Sequence, residues 1–163
     1  MLKKIRECRI CGNNELIPVL NLGDQYLTSI FPDKNQLRSI KKYPLNLVKC
    51  HGGGNCCNLV QLEHSVDKKK MYCNDYGYRS GLNNSMVEHL KKRVKKISTY
   101  VNLKKNDIVI DIGSNDGTTL SFYPEKVRKI GIDPTAKKFK KFYKKDIMLI
   151  DDFFSANSIK KRI

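Results

Sequence analysis

The sequence predicts an α/β fold in two parts. Residues 1–75 read as a small, irregular, β-rich lobe built around four paired cysteines. Residues 76–163 read as a truncated Rossmann-like domain with about three parallel strands. Three observations predict this. All six cysteines fall between residues 8 and 73, and none follows. Helical periodicity is almost absent in the first part and clear in the second. Beyond residue 105, short β-branched runs alternate with helical stretches, the order that winds a parallel sheet.

In the first part, Leu16–Leu22 and Tyr43–Lys49 read as strands, the second alternating with period two, and Asn58–Glu63 as a third. Gly52, Gly53 and Gly54 mark a loop. From Asn84 to Leu103, Met86, Val87, Leu90, Val94, Ile97 and Val101 recur mostly at spacings of three and four between lysines, predicting an amphipathic helix capped by Asn83 or Asn84. Asp107–Ile112 is then a buried strand, with a helix from Thr118. Val127–Ile132 is a second strand, Ala136–Lys144 a helix, Ile147–Ile150 a third strand, and Ser155–Ile163 the start of another helix.

Cys8-x2-Cys11 and Cys50-x6-Cys57 together offer four thiolates. Structural zinc takes a closed tetrahedron of Cys or His, and a two-residue gap turns both sulfurs toward one ion. Gly12 follows the first pair, where the turn asks for a positive φ. Cys56 and Cys57 compete for the fourth position. Cys57 is preferred because Asn58 follows it, and Asn tolerates the left-handed region. The alternatives are that Cys56 binds while Cys57 packs, or that His51 replaces a thiol. Cys73 has no partner at this spacing and reads as a small buried residue. Four thiolates leave no open position for water or substrate, so the metal serves folding rather than chemistry.

Asp111-Ile-Gly113-Ser-Asn115-Asp116-Gly117-Thr118 joins a predicted strand to a predicted helix. Glycines there let the backbone approach a ligand at the mouth of the sheet. Asp133 ends the next strand, 20 residues after Gly113, where an acidic side chain meets ribose hydroxyls in dinucleotide sites. The loop is not GxGxxG. Its carboxylates, Asp111 and Asp116, suit a cationic ligand with a free amino group, such as S-adenosylmethionine, better than a pyrophosphate. A further cluster, Tyr76-Gly77-Tyr78-Arg79-Ser80-Gly81, precedes the long helix. It either lines a pocket or packs an interdomain seam, and composition slightly favours the seam.

The formal charge is +16, with 32 Lys and Arg against 16 Asp and Glu over 163 residues. An anionic partner is one reading. Nucleic-acid readers concentrate Arg beside aromatic residues, whereas here the charge is mostly dispersed Lys, so a solvated lysine surface is favoured and nucleic acid disfavoured. A nucleotide-sugar substrate would also benefit from the charge. No run approaches the roughly 18 apolar residues of a membrane span, and the basic start leads into Cys8 rather than an apolar signal core. The expected location is cytoplasmic, where paired cysteines read as metal ligands before disulfides.

CRICG, LNLGDQYLTSIFP, YPLNLVKC…CNLVQL, YGYRSGLNNSM, DIVIDIGSNDGTTLSFY and GIDPT, in that order, resemble the zinc-binding methyltransferases. These include nucleotide-sugar C-methyltransferases of deoxysugar pathways. The resemblance covers essentially all of residues 5–155. It implies a four-cysteine zinc lobe, a class I methyltransferase domain binding S-adenosylmethionine, and a C-terminal substrate domain. Cys8, Cys11, Cys50 and Cys57 would hold zinc. Gly113, Asn115 and Gly117 would cradle the cofactor, Asp133 would bind its ribose, and Asp152 with Phe153 would lie near the adenine. Tyr76 and Tyr78 would face the active site as candidate catalytic residues. The implied reaction is methylation at carbon C3 of a nucleoside-diphosphate 4-keto-6-deoxysugar, in which a base removes the C3 proton and the enolate attacks the sulfonium methyl.

Two departures concern the metal: the Cys50–Cys57 gap is wider than the family's C-x2-C, and Asn58 stands where Gly is usual. A third is length, since the family's sheet has more strands and its catalytic His and acidic residues lie beyond residue 163. The expectation is therefore a fragment, a truncated product, or one half of a split enzyme completed by a second chain. The alternatives are a non-catalytic zinc-binding module that docks on a partner chain, and a basic zinc-ribbon nucleic-acid binder.

Overall fold

The computed structural model describes residues 2–28, 30–35, 40–54, 56–72, 75–160 and 162. The chain divides into two compact units, Met1–Tyr76 and Gly77–Ile163.

In the first unit, strand β1 (Lys3–Lys4) leads into the first cysteine turn and β2 (Leu16–Gln25) leaves it. β3 (Tyr43–Cys50) pairs antiparallel with β2, Leu16 opposite Cys50 and Gln25 opposite Tyr43, and β4 (Val60–Leu62) flanks β3 on its other side. Pro18 is tolerated because β2 is an edge strand whose register slips between Pro18 and Leu20 and again between Asn21 and Asp24. β5 (His64–Ser65) pairs with β1, and a single turn α1 (Lys68–Met71) is capped by the Asp67 carboxylate, which accepts the Lys69 N–H. Val19, Leu20 and Leu22 of β2 are exposed, and the buried apolar residues described here are Cys8, Val48 and Cys50. So little apolar burial leaves the lobe dependent on a crosslink.

In the second unit, α2 (Asn84–Tyr100) starts at Asn83, whose Oδ1 accepts the Ser85 N–H. Of its apolar stripe, Val94 is buried, while Ile97 stays exposed, as does Val101 just past its end. Three parallel strands follow, β6 (Ile108–Ile112), β7 (Arg128–Ile132) and β8 (Ile147–Ile150), in the order β6-β7-β8. The register aligns Ile110 with Ile130 and Met148, and Ile112 with Ile132 and Ile150, on one face. The result is a small parallel sheet reminiscent of a truncated Rossmann fold.

The connections are tighter than the sequence predicts. The helix expected from Thr118 is one 3₁₀ turn, Leu120–Phe122, because Pro124 forces Tyr123 into extended backbone. The helix expected over Ala136–Lys144 is a short α3 (Ala136–Phe139) and a 3₁₀ turn over Lys140–Phe142. Thr135 spends its hydroxyl on Asp133 instead of capping, and Lys137, Lys138, Lys140 and Lys141 set like charges on adjacent turns. Within the expected Ser155–Ile163 helix, α4 covers Ala156–Lys160. Ile159 of α4 packs on the core of Ile130, Ile132 and Ile150. On the same face of edge strand β6, Ile108, Ile110 and Ile112 remain 43%, 41% and 58% exposed. Among the described residues no helix is long and apolar enough to cross a membrane.

Candidate functional site

Two sites are built from these frames. In the first unit, the Sγ atoms of Cys8, Cys11, Cys50 and Cys57 all lie within 4.8 Å of one another. Cys8 and Cys57 sulfurs are 3.5 Å apart, and Cys11 and Cys50 sulfurs 3.6 Å. Zinc–sulfur bonds of about 2.3 Å in a tetrahedron require edges of roughly 3.8 Å, so the donor set fits zinc by both chemistry and size.

Local sequence makes this convergence. The Gly12 N–H closes the first turn on the Cys8 carbonyl at 2.9 Å, with Gly12 at φ +73. Cys50 ends β3, and its N–H bonds the Leu59 carbonyl, drawing the second pair together. Asn58, at φ +56, gives Cys57 the turn that Gly12 gives Cys11. The triple-glycine loop is needed at Gly52, whose φ of +116 is a conformation L side chains rarely adopt. Cys56 is half-buried and His51 exposed, and neither belongs to the cluster. Cys73 lies outside the described residues.

Backbone amides are arranged for thiolates. The N–H groups of Cys11 and Ile10 hold the Cys8 thiol at about 6, with the Gln61 side chain assisting. The Asn13 and Cys57 amides lower Cys11. For Cys57 the Leu59 N–H favours the thiolate, but desolvation and the Cys8, Cys11 and Cys50 side chains push its pKa up to about 12. A divalent cation removes that mutual repulsion. The Asn13 amide donates to Cys50 Sγ at 3.4 Å. Sequence reasoning missed Arg9 and Gln61. Arg9 donates to Gln61 Oε1, the Leu62 carbonyl and Ser65 Oγ, fastening the first turn to β4 and β5. Its place inside CRICG was the available signal.

The second site is the turn after β6. Gly113, Asn115 and Gly117 stand at φ +79, +51 and +76. The Gly113 and Ser114 N–H groups bond the Ile132 carbonyl, and the Asn115 N–H bonds Asp133 Oδ2 at 2.9 Å. These amides therefore tie the turn to β7. Asp133 is buried, and its Oδ1 accepts the Thr135 N–H and hydroxyl at 2.7 and 2.6 Å. A carboxylate has about four acceptor positions, so Oδ2 retains one. Asp111, the penultimate residue of β6, has its pKa raised by burial and by the Asp133 charge. A Cβ at Gly113 would meet nothing within 4 Å, so open space lies over that glycine.

Asn115 and Asp116 are placed differently from a pair of ligand contacts. The Asn115 Oδ1 accepts the Ser80 N–H at 2.8 Å, and its Nδ2 donates to the Tyr78 carbonyl at 3.1 Å. Asp116 is 2% exposed. Its Oδ2 accepts the Gly81 N–H at 2.9 Å, and its Oδ1 accepts the Thr118 hydroxyl at 2.6 Å. Arg79 lies 3.8 Å from Asp116 Oδ2 and stacks on the Phe142 ring. Tyr78 is thus brought to the glycine turn. Tyr76 belongs to the first unit, bridged to Ile30 with its ring against Tyr72. Asp152 and Phe153 follow β8 at the end of the sheet that carries the turn, the Phe153 N–H on Asp152 Oδ1. Tyr143, which no motif marked, packs on Gly117 and Gly131 and bonds Ser114 Oγ and the Asn115 carbonyl, each at 2.8 Å.

Residues 8–72 match the Methyltransf_13 family, described as a zinc binding domain. C-methyltransferase NovU of Streptomyces niveus is 26% identical over 136 residues, which cover 82% of this chain and 31% of NovU. The chain thus spans about a third of the length of this curated relative. Its first unit is a four-cysteine zinc-binding domain related to that of methyltransferase family members such as NovU, and it is followed by a small Rossmann-like sheet.

Proposed function

We propose that the second unit binds S-adenosylmethionine and that the chain serves a C-methyltransferase acting on a nucleotide sugar. The observation that carries this is the mouth between β6 and β7. There, open space over Gly113 at φ +79 adjoins two carboxylates, Asp111 in β6 and Asp133 just past the end of β7. Paired carboxylates repel one another, and a ligand bearing a sulfonium and an ammonium relieves that repulsion. Gly113 gives the ligand close access to the backbone, and the remaining acceptor position on Asp133 Oδ2 takes a ribose hydroxyl. Asp152 and Phe153 flank the adenine side. Bound S-adenosylmethionine supplies the methyl group.

The acceptor class rests on the resemblance in the ordered motifs and on the relation to a C-methyltransferase. The charge of +16 suits a nucleoside diphosphate. Tyr78 is assigned to the acceptor side as a hydroxyl that holds the developing oxyanion. The zinc is structural, because four thiolates close its coordination.

A second reading, a non-catalytic zinc-binding module docking on a partner chain, is favoured by the family match over residues 8–72, which hold the four clustered cysteines. Calorimetry of the zinc-loaded chain with S-adenosylhomocysteine separates the two. One site whose affinity falls at least tenfold in Asp133→Asn supports the methyltransferase reading. Zinc retention with no heat of binding overturns it in favour of the module.

A further inference from the structure

We infer that Asn115 and Asp116 are positioning residues whose side chains clip the Tyr78–Gly81 segment onto the glycine turn. They couple that segment to whatever the turn holds, instead of touching the ligand themselves. The part of this inference that concerns a ligand rests on the methyltransferase reading. The clip itself rests on geometry alone.

Three backbone groups of the segment are engaged, all by two consecutive side chains of the turn. The Tyr78 carbonyl and Ser80 N–H go to the Asn115 amide, and the Gly81 N–H goes to the Asp116 carboxylate. Both residues are buried. An Asn side chain that donates to one residue and accepts from another two positions on behaves as a cross-strand rung, although the partners lie more than 30 residues apart in sequence. The fit is close on the segment side too. A Cβ at Gly81 would stand 2.7 Å from Asp116 Oδ2 and 2.9 Å from Thr118 Oγ1, so this position must be glycine for the clip to close.

The conformation of Asn115 links the two halves. At φ +51 it is the non-glycine residue of the turn in the left-handed region, and its N–H is the one that reaches Asp133. A change in the turn on ligand binding therefore rotates the amide that holds Tyr78 and Ser80. Tyr78, whose carbonyl the clip holds, is 42% exposed, so a loop ligand sets where that ring stands. Dedicating the Asn115 and Asp116 side chains to the segment leaves Gly113, Asp111 and Asp133 as the groups that face a nucleoside.

Asn115→Gly is the decisive variant, because it keeps the left-handed backbone and the N–H to Asp133 while deleting both rungs. Gly81→Ala attacks the same clip from the other side without altering the turn. Amide hydrogen exchange on the full chain, with and without S-adenosylhomocysteine, reads the outcome. In both variants the Ser80 and Gly81 amides are expected to exchange about tenfold faster or more, while β6–β8 amides stay protected. Ligand protection at Ser80 and Gly81, present in the native chain, is lost in Asn115→Gly although the ligand still binds within about threefold. Unchanged Ser80 and Gly81 exchange in both variants overturns the clip. So does a collapse of affinity in Asn115→Gly with those amides undisturbed, since that makes Asn115 a direct ligand contact. If the native chain takes up no nucleoside, the methyltransferase reading fails, and the ligand-free exchange rates alone still decide the clip.

Discussion

The Asn115 N–H lies 2.9 Å from Asp133 Oδ2, fastening the turn after β6 to the end of β7. With the Thr135 N–H and hydroxyl on Oδ1, Asp133 satisfies three donors at once. Asp133→Ala strands those donors, each worth about 1 kcal/mol or more when buried. The β6–β8 unit is expected to lose roughly 2–3 kcal/mol in urea, read by amide exchange of those strands. Unchanged stability with lost nucleoside binding would make Asp133 a ligand group alone.

Metal removal acts on the other unit. Because its apolar burial is thin, a chelator is expected to release one zinc per chain and abolish amide protection in β2–β4. Cys57→Ala loses the metal and Cys56→Ala keeps it, measured by metal content of the purified chain. Gln61→Leu removes the oxygen that anchors Arg9 and with it the first cysteine turn. Zinc affinity is expected to drop about tenfold. Full retention of metal in Cys57→Ala would disprove the ligand set.

The metal cluster was legible because its logic is local. A residue able to adopt positive φ follows Cys11 and Cys57 alike, and Gly12 and Asn58 stand at +73 and +56. The glycine turn was legible for the same reason, at the level of its backbone. The side chains of Asn115 and Asp116 were not, because their partners lie some 35 residues away, and sequence spacing carries no information about pairings at that range. Tyr143 escaped notice since its role depends on the absence of side chains at Gly117 and Gly131. The two crossover helices were overread because periodicity ignores what Pro124 does to Tyr123 and what the lysines of residues 137–141 do to one another.

Tyr143 supports the turn from beneath. Burial raises its pKa above the usual phenol value, so the hydroxyl stays protonated and donates to the Asn115 carbonyl. Tyr143→Phe strands that carbonyl and Ser114, at a cost of about 1–2 kcal/mol. Gly131→Ala puts a Cβ 2.7 Å from Ser114 Oγ and 3.0 Å from Tyr143 Cε1, an overpacking worth about 1–3 kcal/mol. Thermal melting of the zinc-loaded chain tests both, and a melt unchanged in either variant would remove Tyr143 as a support.

Lys129 is buried in β7, and its ammonium pairs with Asp146 and reaches the Tyr123 carbonyl. Lys129 holds the Asp146 carboxyl below its ordinary value. The stabilisation is therefore complete above the unfolded carboxylate pKa and is lost as pH falls through the lower folded value. Asp146 is partly open to water, which screens the pair, so Asp146→Asn is expected to cost only about 1–2 kcal/mol at neutral pH. Urea titrations at pH 7 and pH 3 check this: the gap between native and variant chains closes at the lower pH.

Asp111 has the opposite sign. Burial, and then the charge of Asp133, raises its pKa in the folded chain. A neutral Asp111 favours the fold at low pH, and that contribution disappears as pH rises through the raised value. At neutral pH the ionised carboxylate is a standing cost, of the kind retained where a charged ligand is to be met. Asp111→Asn is expected to melt a few degrees higher than the native chain at pH 7 and at the same temperature below the unfolded carboxylate pKa. It should bind S-adenosylhomocysteine at least tenfold more weakly. A variant that is less stable at pH 7, or that binds the nucleoside as well as the native chain, would show that this carboxylate holds the turn and takes no part in recognising a cation.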